Sequence, residues 1–175
     1  MKKNISFATW IGAFALSLLF FSCKKSNSAP AKSEKYQIVA GDWAQADIVL
    51  GVDVSVNVGG NDYNFPTGTS VITDPYLSAF GVSASFTPTV NNVYHFSDSG
   101  TYRIDGVTDL ILPVAGNKGA WSLDVYDAVL KLVSTAKGND PHWINSISST
   151  DLSLSMIVDI PGMGTAPLTL LLKKK

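Results

Sequence analysis

Alternation of apolar and polar residues is the feature that most limits what this chain can become. Val52, Val54, Val56 and Val58 interleave with Asp53, Ser55 and Asn57, and Leu152, Leu154, Met156 and Val158 interleave with Ser153, Ser155 and Ile157. Successive side chains of a strand point to opposite faces, so each series lays one apolar face along a half-buried strand. Shorter runs of the same kind predict strands at 43–50, 82–86, 93–97, 101–105, 120–125, 129–133, 143–147 and 168–172. Turn-forming clusters separate them: Gly59-Gly60-Asn61-Asp62, Asp98-Ser99-Gly100, Ala115-Gly116-Asn117, Lys137-Gly138-Asn139-Asp140 and Pro161-Gly162-Met163-Gly164. No heptad and no long amphipathic helix competes with this pattern, and residues 75–80 hold a single helical turn at most. Eight to ten short strands joined by tight turns describe an all-β antiparallel meander, closed as a barrel or folded as a sandwich.

The N-terminus follows a different logic. Met1-Lys2-Lys3-Asn4 is a short basic start, and residues 5–21 then run without a charge, the layout of an export signal. Ser22 precedes Cys23, the sole cysteine, and Lys24-Lys25 follow. Phe20-Phe21-Ser22-Cys23 resembles a bacterial lipobox, with Phe20 where leucine is usual and Phe21 where a small residue is usual. That resemblance implies cleavage before Cys23, a diacylglycerol thioether on its sulfur and acylation of the new N-terminus. Two other readings stay open: an uncleaved membrane helix, since 19 residues from Asn4 to Ser22 at about 1.5 Å each nearly span a bilayer, and an ordinary secretory signal with a free thiol. Residues 1–22 are thus assigned to a signal peptide and 23–35 to a lipidated cysteine with a Ser-, Asn-, Ala- and Pro-containing tether. Residues 36–175 form the domain. No cysteine remains there to support the fold with a disulfide.

Charge narrows the function classes. The chain has a formal net charge of −1, which conceals a strong asymmetry. Residues 36–172 hold four positive and thirteen negative side chains, whereas the tether carries four lysines and the chain ends Lys173-Lys174-Lys175. An acidic domain argues against nucleic acid as a partner. Basic residues beside an anchor suit an anionic lipid surface.

Several strings in the domain together resemble the lipocalin-like lipoproteins of a large group of Gram-negative bacteria. Gly41-Asp42-Trp43 opens the domain as Gly-x-Trp, Tyr94–Tyr102 runs through Asp98-Ser99-Gly100-Thr101-Tyr102, and Gly119-Ala120-Trp121 repeats the Gly-x-Trp pattern. Trp143-Ile144-Asn145-Ser146-Ile147, then Thr150-Asp151-Leu152-Ser153-Leu154, is similar to the closing strand pair, and residues 168–174 to a terminal strand ending in lysine. The match runs from about Gly41 to Lys174, except for residues 48–90. It implies an up-and-down antiparallel barrel of roughly eight strands, with an interior able to hold a small apolar or amphipathic ligand. It implies no enzymatic activity and no cofactor. Lys24 after the lipidated cysteine, where inner-membrane retention would put aspartate, implies the outer membrane, with the periplasmic and surface faces both open.

Candidate sites follow from residue chemistry. Trp43, Trp121 and Trp143, with Tyr102, are the first residues to line a ligand site, although aromatics at strand starts also close barrels and pack cores. An arginine stacked on the opening tryptophan is a feature of the resembled family, normally from the last strand; Arg103 sits mid-domain and is expected to pair with an aspartate instead. His95 and His142 have no companions at metal-ligand spacing, which gives no metal site, and His95 is expected on a solvent-facing strand position. Asp98, Asp105 and Asp109 lack the alternating ligands and closing glutamate of a calcium loop. No Gly-x-Ser-x-Gly and no suggestive histidine points to nucleophilic catalysis. A second reading is an interaction module with a filled core that docks on an envelope protein or glycan through residues 59–80, expected as a long irregular segment bearing Tyr63, Phe65 and Tyr76.

Overall fold

A computed structural model describes residues 31–82, 92–106, 116–134, 138–160 and 164–175. The expected signal segment 1–22, Cys23 and the tether to residue 30 lie outside the described residues, as do Asp109 and most of the strand expected at 82–86.

Ten strands form. They are β1 (Gly41–Leu50), β2 (Val54–Val58), β3 (Asn61–Phe65), β4 (Val93–Phe96), β5 (Thr101–Asp105), β6 (Lys118–Asp124), β7 (Val129–Ser134), β8 (Gly138–Ile147), β9 (Asp151–Ile160) and β10 (Gly164–Lys174). Eight of them close a barrel in the order β1-β10-β9-β8-β7-β6-β5-β4, every pair antiparallel, so consecutive strands from β4 to β10 are neighbours and β10 returns to β1. This is the up-and-down barrel that the alternating pattern and the turn spacing predict. Leu152, Leu154 and Met156 of β9 face inward together with Leu168, Leu170 and Leu172 of β10, all nearly inaccessible. An eight-strand barrel is just wide enough for such side chains to meet in the middle.

Among the described residues two short helices flank the barrel, α1 (Glu34–Val39) and α2 (Pro75–Ala79). Ser33 caps α1 by accepting from the Tyr36 N–H at 3.1 Å, so the ordered chain takes in Glu34 and Lys35, which composition alone groups with the tether. Asp74 caps α2 through the N–H groups of Tyr76 and Leu77, with Pro75 in the first turn. This is the helical turn expected at 75–80.

Residues 59–80 are not the irregular segment the sequence suggests. Gly59 and Gly60 both adopt positive φ (61° and 85°), the geometry of a two-residue hairpin turn, and Asn61 and Asp62 begin β3 rather than extend the turn. The hairpin β2–β3 stands apart from the barrel sheet. Val52 lies in the bend before the hairpin and is exposed; of the valines in β2, Val54 and Val56 are half-buried and Val58 is exposed. Beyond it, Thr69–Val71 pair with the free edge of β1: the Leu50 N–H donates to Thr69 O and the Val71 N–H to Ile48 O, both at 2.9 Å. This matters because β1 meets β4 over only Gly41–Ala44. Phe65, Val71, Leu77 and Val82 are buried in one continuous cluster with the barrel core, and Phe80 packs edge-on against Tyr63 at 5.0 Å.

At the opposite end, α1 closes the barrel on two tryptophans. The Trp43 indole N–H donates to Val39 O (2.7 Å), and Trp121 stacks on Tyr36 with centroids 4.2 Å apart while donating to Ser97 O (2.9 Å). The ammonium of Lys174 lies 4.4 Å over the Trp43 ring and donates to the carbonyls of Ile38 (2.8 Å) and Ala40 (2.6 Å). The cation over the opening tryptophan therefore does come from the last strand, as a lysine. It also satisfies carbonyls at the end of α1 that the helix leaves unpaired. Gly41, at φ 124°, leaves room for it, since a Cβ there would sit 2.7 Å from Lys174 Nζ. The β6–β7 turn is unannounced by glycine: Val125, Tyr126 and Asp127 all hold positive φ of 51–62°, a conformation that costs a β-branched residue on the order of 1 kcal/mol or more.

Candidate functional site

Two strands that part company create the site. Ile144 N–H donates to Ala128 O at 2.9 Å, so in this stretch of β8 the even-numbered residues direct their backbone polar groups to β7 and the odd-numbered ones to β9. Trp143 accordingly meets Ser155 of β9. The next rung would need an N–H from Pro141, which has none. Pairing of β8 with β9 starts at Trp143↔Ser155 and excludes Gly138–His142, while β9 continues alone against β10 as far as Ile160. The wall of the barrel is open along this seam.

A groove of about 440 Å³ occupies the seam, lined by Asp140, Pro141, His142 and Trp143 of β8, Ser155, Met156 and Ile157 of β9, and Pro167 of β10. Its volume lies within the usual range for small-molecule sites. Alternation divides its lining. Trp143 and Ile157 face outward, 57% and 70% exposed, whereas His142 and Met156 face the barrel interior and are buried. The rim is thus apolar and open, and the floor carries an imidazole and a carboxylate.

The floor is electrostatically incomplete. His142 is 2% exposed, and neither ring nitrogen has a hydrogen-bond partner. Asp140 Oδ2 lies at ion-pair distance from His142 Nε2, 3.1 Å, but the two are not in hydrogen-bonding geometry and this oxygen accepts no hydrogen bond. Leaving a buried polar group without a hydrogen bond costs about 1–3 kcal/mol, and the two residues that carry that cost both line the groove. The Asp140 charge also acts across the interior: burial raises the Tyr102 phenol above its ordinary range, and the Asp140 carboxylate adds to the rise. Burial alone drives the larger upward shift of Tyr94 inside β4, which its hydrogen bond with Asn92 opposes.

The four residues that sequence reasoning nominates for ligand contact do not gather. Trp143 lies on the rim of the seam groove. Trp43 and Trp121 are buried at the α1 end with their indole N–H groups bonded to backbone. Tyr102 is buried over Gly119 and donates to Gly116 O at 3.1 Å. His142 is missed because no motif contains it. A signal was nonetheless present: continuing the inward phase of Ile144 two and four residues back lands on His142 and Asp140.

The remaining candidates among the described residues have different surroundings. His95 lies on the outer face of β4, with Nδ1 2.7 Å from Asp42 Oδ1 and Nε2 3.0 Å from Asp105 Oδ2. Arg103 pairs with Asp105 at 2.8 Å, as its position suggested. Asp98 contributes its carbonyl to Lys32 and Tyr36. Among the described residues no three His, Cys, Asp or Glu side chains gather as metal ligands do. A larger depression of about 640 Å³ beside α1, lined by Lys32, Gln37, Ala40, Gly41, Phe96 and Asp98, contains no buried unpartnered side-chain atom of the kind found at the seam.

In comparison with known proteins, no family model matches the chain and no curated protein matches it.

Proposed function

We propose that this protein is a lipocalin-like lipoprotein of the bacterial cell envelope, non-enzymatic, whose barrel binds a small apolar or amphipathic molecule. The observation that carries the binding reading is the buried imidazole of His142, with a carboxylate beside it but no hydrogen bond to either nitrogen, beneath an apolar groove. Native proteins pair their buried polar groups, and an exception calls for a reason; a ligand that supplies the missing hydrogen bond is such a reason. Support for the anchor and for the outer membrane comes from sequence: the Phe20-Phe21-Ser22-Cys23 string, the sole cysteine, and Lys24 behind it. Membrane attachment is through lipid on Cys23, and no nucleic acid is a partner of so acidic a domain.

The test is mass spectrometry of the protein purified from its native envelope. The peptide beginning at Cys23 should carry the mass of a diacylglycerol and an acyl group, and a solvent extract should contain one small molecule in stoichiometric amount, absent from a folded Trp143→Ala variant. An unmodified N-terminus at Met1 would refute the anchor. An extract without a stoichiometric molecule, together with a protein that captures a constant envelope protein or glycan, would replace ligand binding by the interaction-module reading.

A further inference from the structure

We infer that the ligand is a single-chain amphiphile with a hydrogen-bond-donating, non-anionic head group, an amine or a hydroxyl, and that it enters sideways through the β8–β9 seam rather than along the barrel axis. This rests on the ligand-binding reading above and names the ligand class for that same groove.

The route follows from what is closed. The α1 end is sealed by Trp43, Trp121 and the Tyr36 stack, and at the other end of β1 the described chain places Phe65, Val71 and Leu77 in the buried core. The seam is open because Pro141 cannot supply the next rung of the ladder. An apolar chain laid along it covers Trp143 and Ile157, the two large apolar side chains that flank the gap and stand more than half exposed.

The head group follows from the floor. Asp140 Oδ2 is an acceptor with no hydrogen bond, its one polar neighbour being the misaligned His142 Nε2, and His142 offers two ring nitrogens, one of which accepts when the ring is neutral. An amine head donates to both residues, and a hydroxyl donates to the carboxylate while accepting from the imidazole N–H. An anionic head is disfavoured, because no lysine or arginine lines the groove among the described residues and the surrounding domain is strongly acidic. The nearest cation on the neighbouring strand, Lys131 opposite Pro141, is already bonded to Asp124. A metal ion held by the protein would need more ligands than this one imidazole and one carboxylate.

The experiment is calorimetric titration of the full chain in lipid nanodiscs, with empty discs as reference, using octylamine, 1-octanol and octanoate in turn. These share one tail and differ in head group. Wild type should bind octylamine at least tenfold more tightly than octanoate, with octanol between them. Asp140→Asn should weaken octylamine at least tenfold while octanol stays within threefold, and Trp143→Ala should weaken all three. Octanoate bound as tightly as octylamine, or an Asp140→Asn variant indistinguishable from wild type, overturns the head-group assignment. Failure of all three probes alongside a stoichiometric molecule in the native extract overturns this inference and leaves ligand binding standing. Failure of the probes with an empty extract removes both.

Discussion

Replacing His142 by leucine should stabilise the unliganded barrel while removing its ability to hold a ligand. The imidazole is 2% exposed with neither nitrogen hydrogen-bonded, and a buried polar group without its hydrogen bond costs about 1–3 kcal/mol. Leucine is similar in volume, carries no polar atom, and would lie between Leu130, its partner on β7, and the buried Met156. Asp140 loses its neighbour at 3.1 Å, but its side chain is 21% exposed and can turn toward water. The net gain is about 1–2 kcal/mol, which for a domain of this size raises Tm by about 3–6 °C. Thermal unfolding followed by far-UV circular dichroism, on protein freed of bound molecules, measures it. Saturating ligand should then raise the wild-type Tm, by about 2.7 kcal/mol of linkage at a hundredfold excess over Kd, and leave His142→Leu unmoved. A Tm lowered by more than about 2 °C in His142→Leu would refute the reasoning, because it would mean that the imidazole is satisfied within the fold and has nothing to offer a ligand.

Three further outcomes test the architecture. Lys174→Met removes two charge-assisted hydrogen bonds and the cation over Trp43, and denaturant unfolding should show a loss of about 2–3 kcal/mol. Gly119→Ala would place a Cβ 2.1 Å from Val133 O and 2.9 Å from the Tyr102 ring; separation of β6 from β7 should cost about 3 kcal/mol, read as a lowered urea midpoint with near-UV signal lost from Tyr102. Acid should destabilise the domain below about pH 4. Asp53 is held below the ordinary carboxylate range by the Thr67 N–H and hydroxyl, Asp124 by Lys131 and the Val125 N–H, and Asp151 by Lys173 and Thr150. A lowered folded-state pKa contributes stability that is complete above the unfolded value and is lost as pH falls through the folded one. All three groups are exposed, so each contributes little, and the triple asparagine variant should flatten the acid limb of a Tm–pH curve by lowering its neutral plateau slightly toward the acid value.

The barrel was legible because period-two alternation survives wherever one face meets a core: β9 reads Leu152, Leu154, Met156 inward, and all three are buried. The pattern failed where burial is set by something other than the sheet face. The valines of β2 alternate as well as any, yet their hairpin stands outside the barrel and leaves Val58 exposed. Strand β8 is expected to begin at Trp143, with Lys137-Gly138-Asn139-Asp140 read as the turn ahead of it. The strand instead begins five residues earlier, at Gly138, and its inward-facing Asp140 and His142 form the floor of the seam. Local propensity describes the backbone, and a functional site is where a sequence departs from it. The cation on Trp43 was missed for another reason: Lys173-Lys174-Lys175 reads as a solvated basic tail, and strand phase with tertiary closure selects Lys174 to turn back onto α1.

The most direct measurement is an experimental structure of the protein carrying the molecule it brings from its native envelope. The molecule should lie in the β8–β9 seam, its polar end within hydrogen-bond distance of His142 and Asp140 and its apolar part against Trp143 and Ile157. A molecule bound elsewhere, or an empty seam in which protein atoms satisfy both nitrogens of His142, would contradict the account.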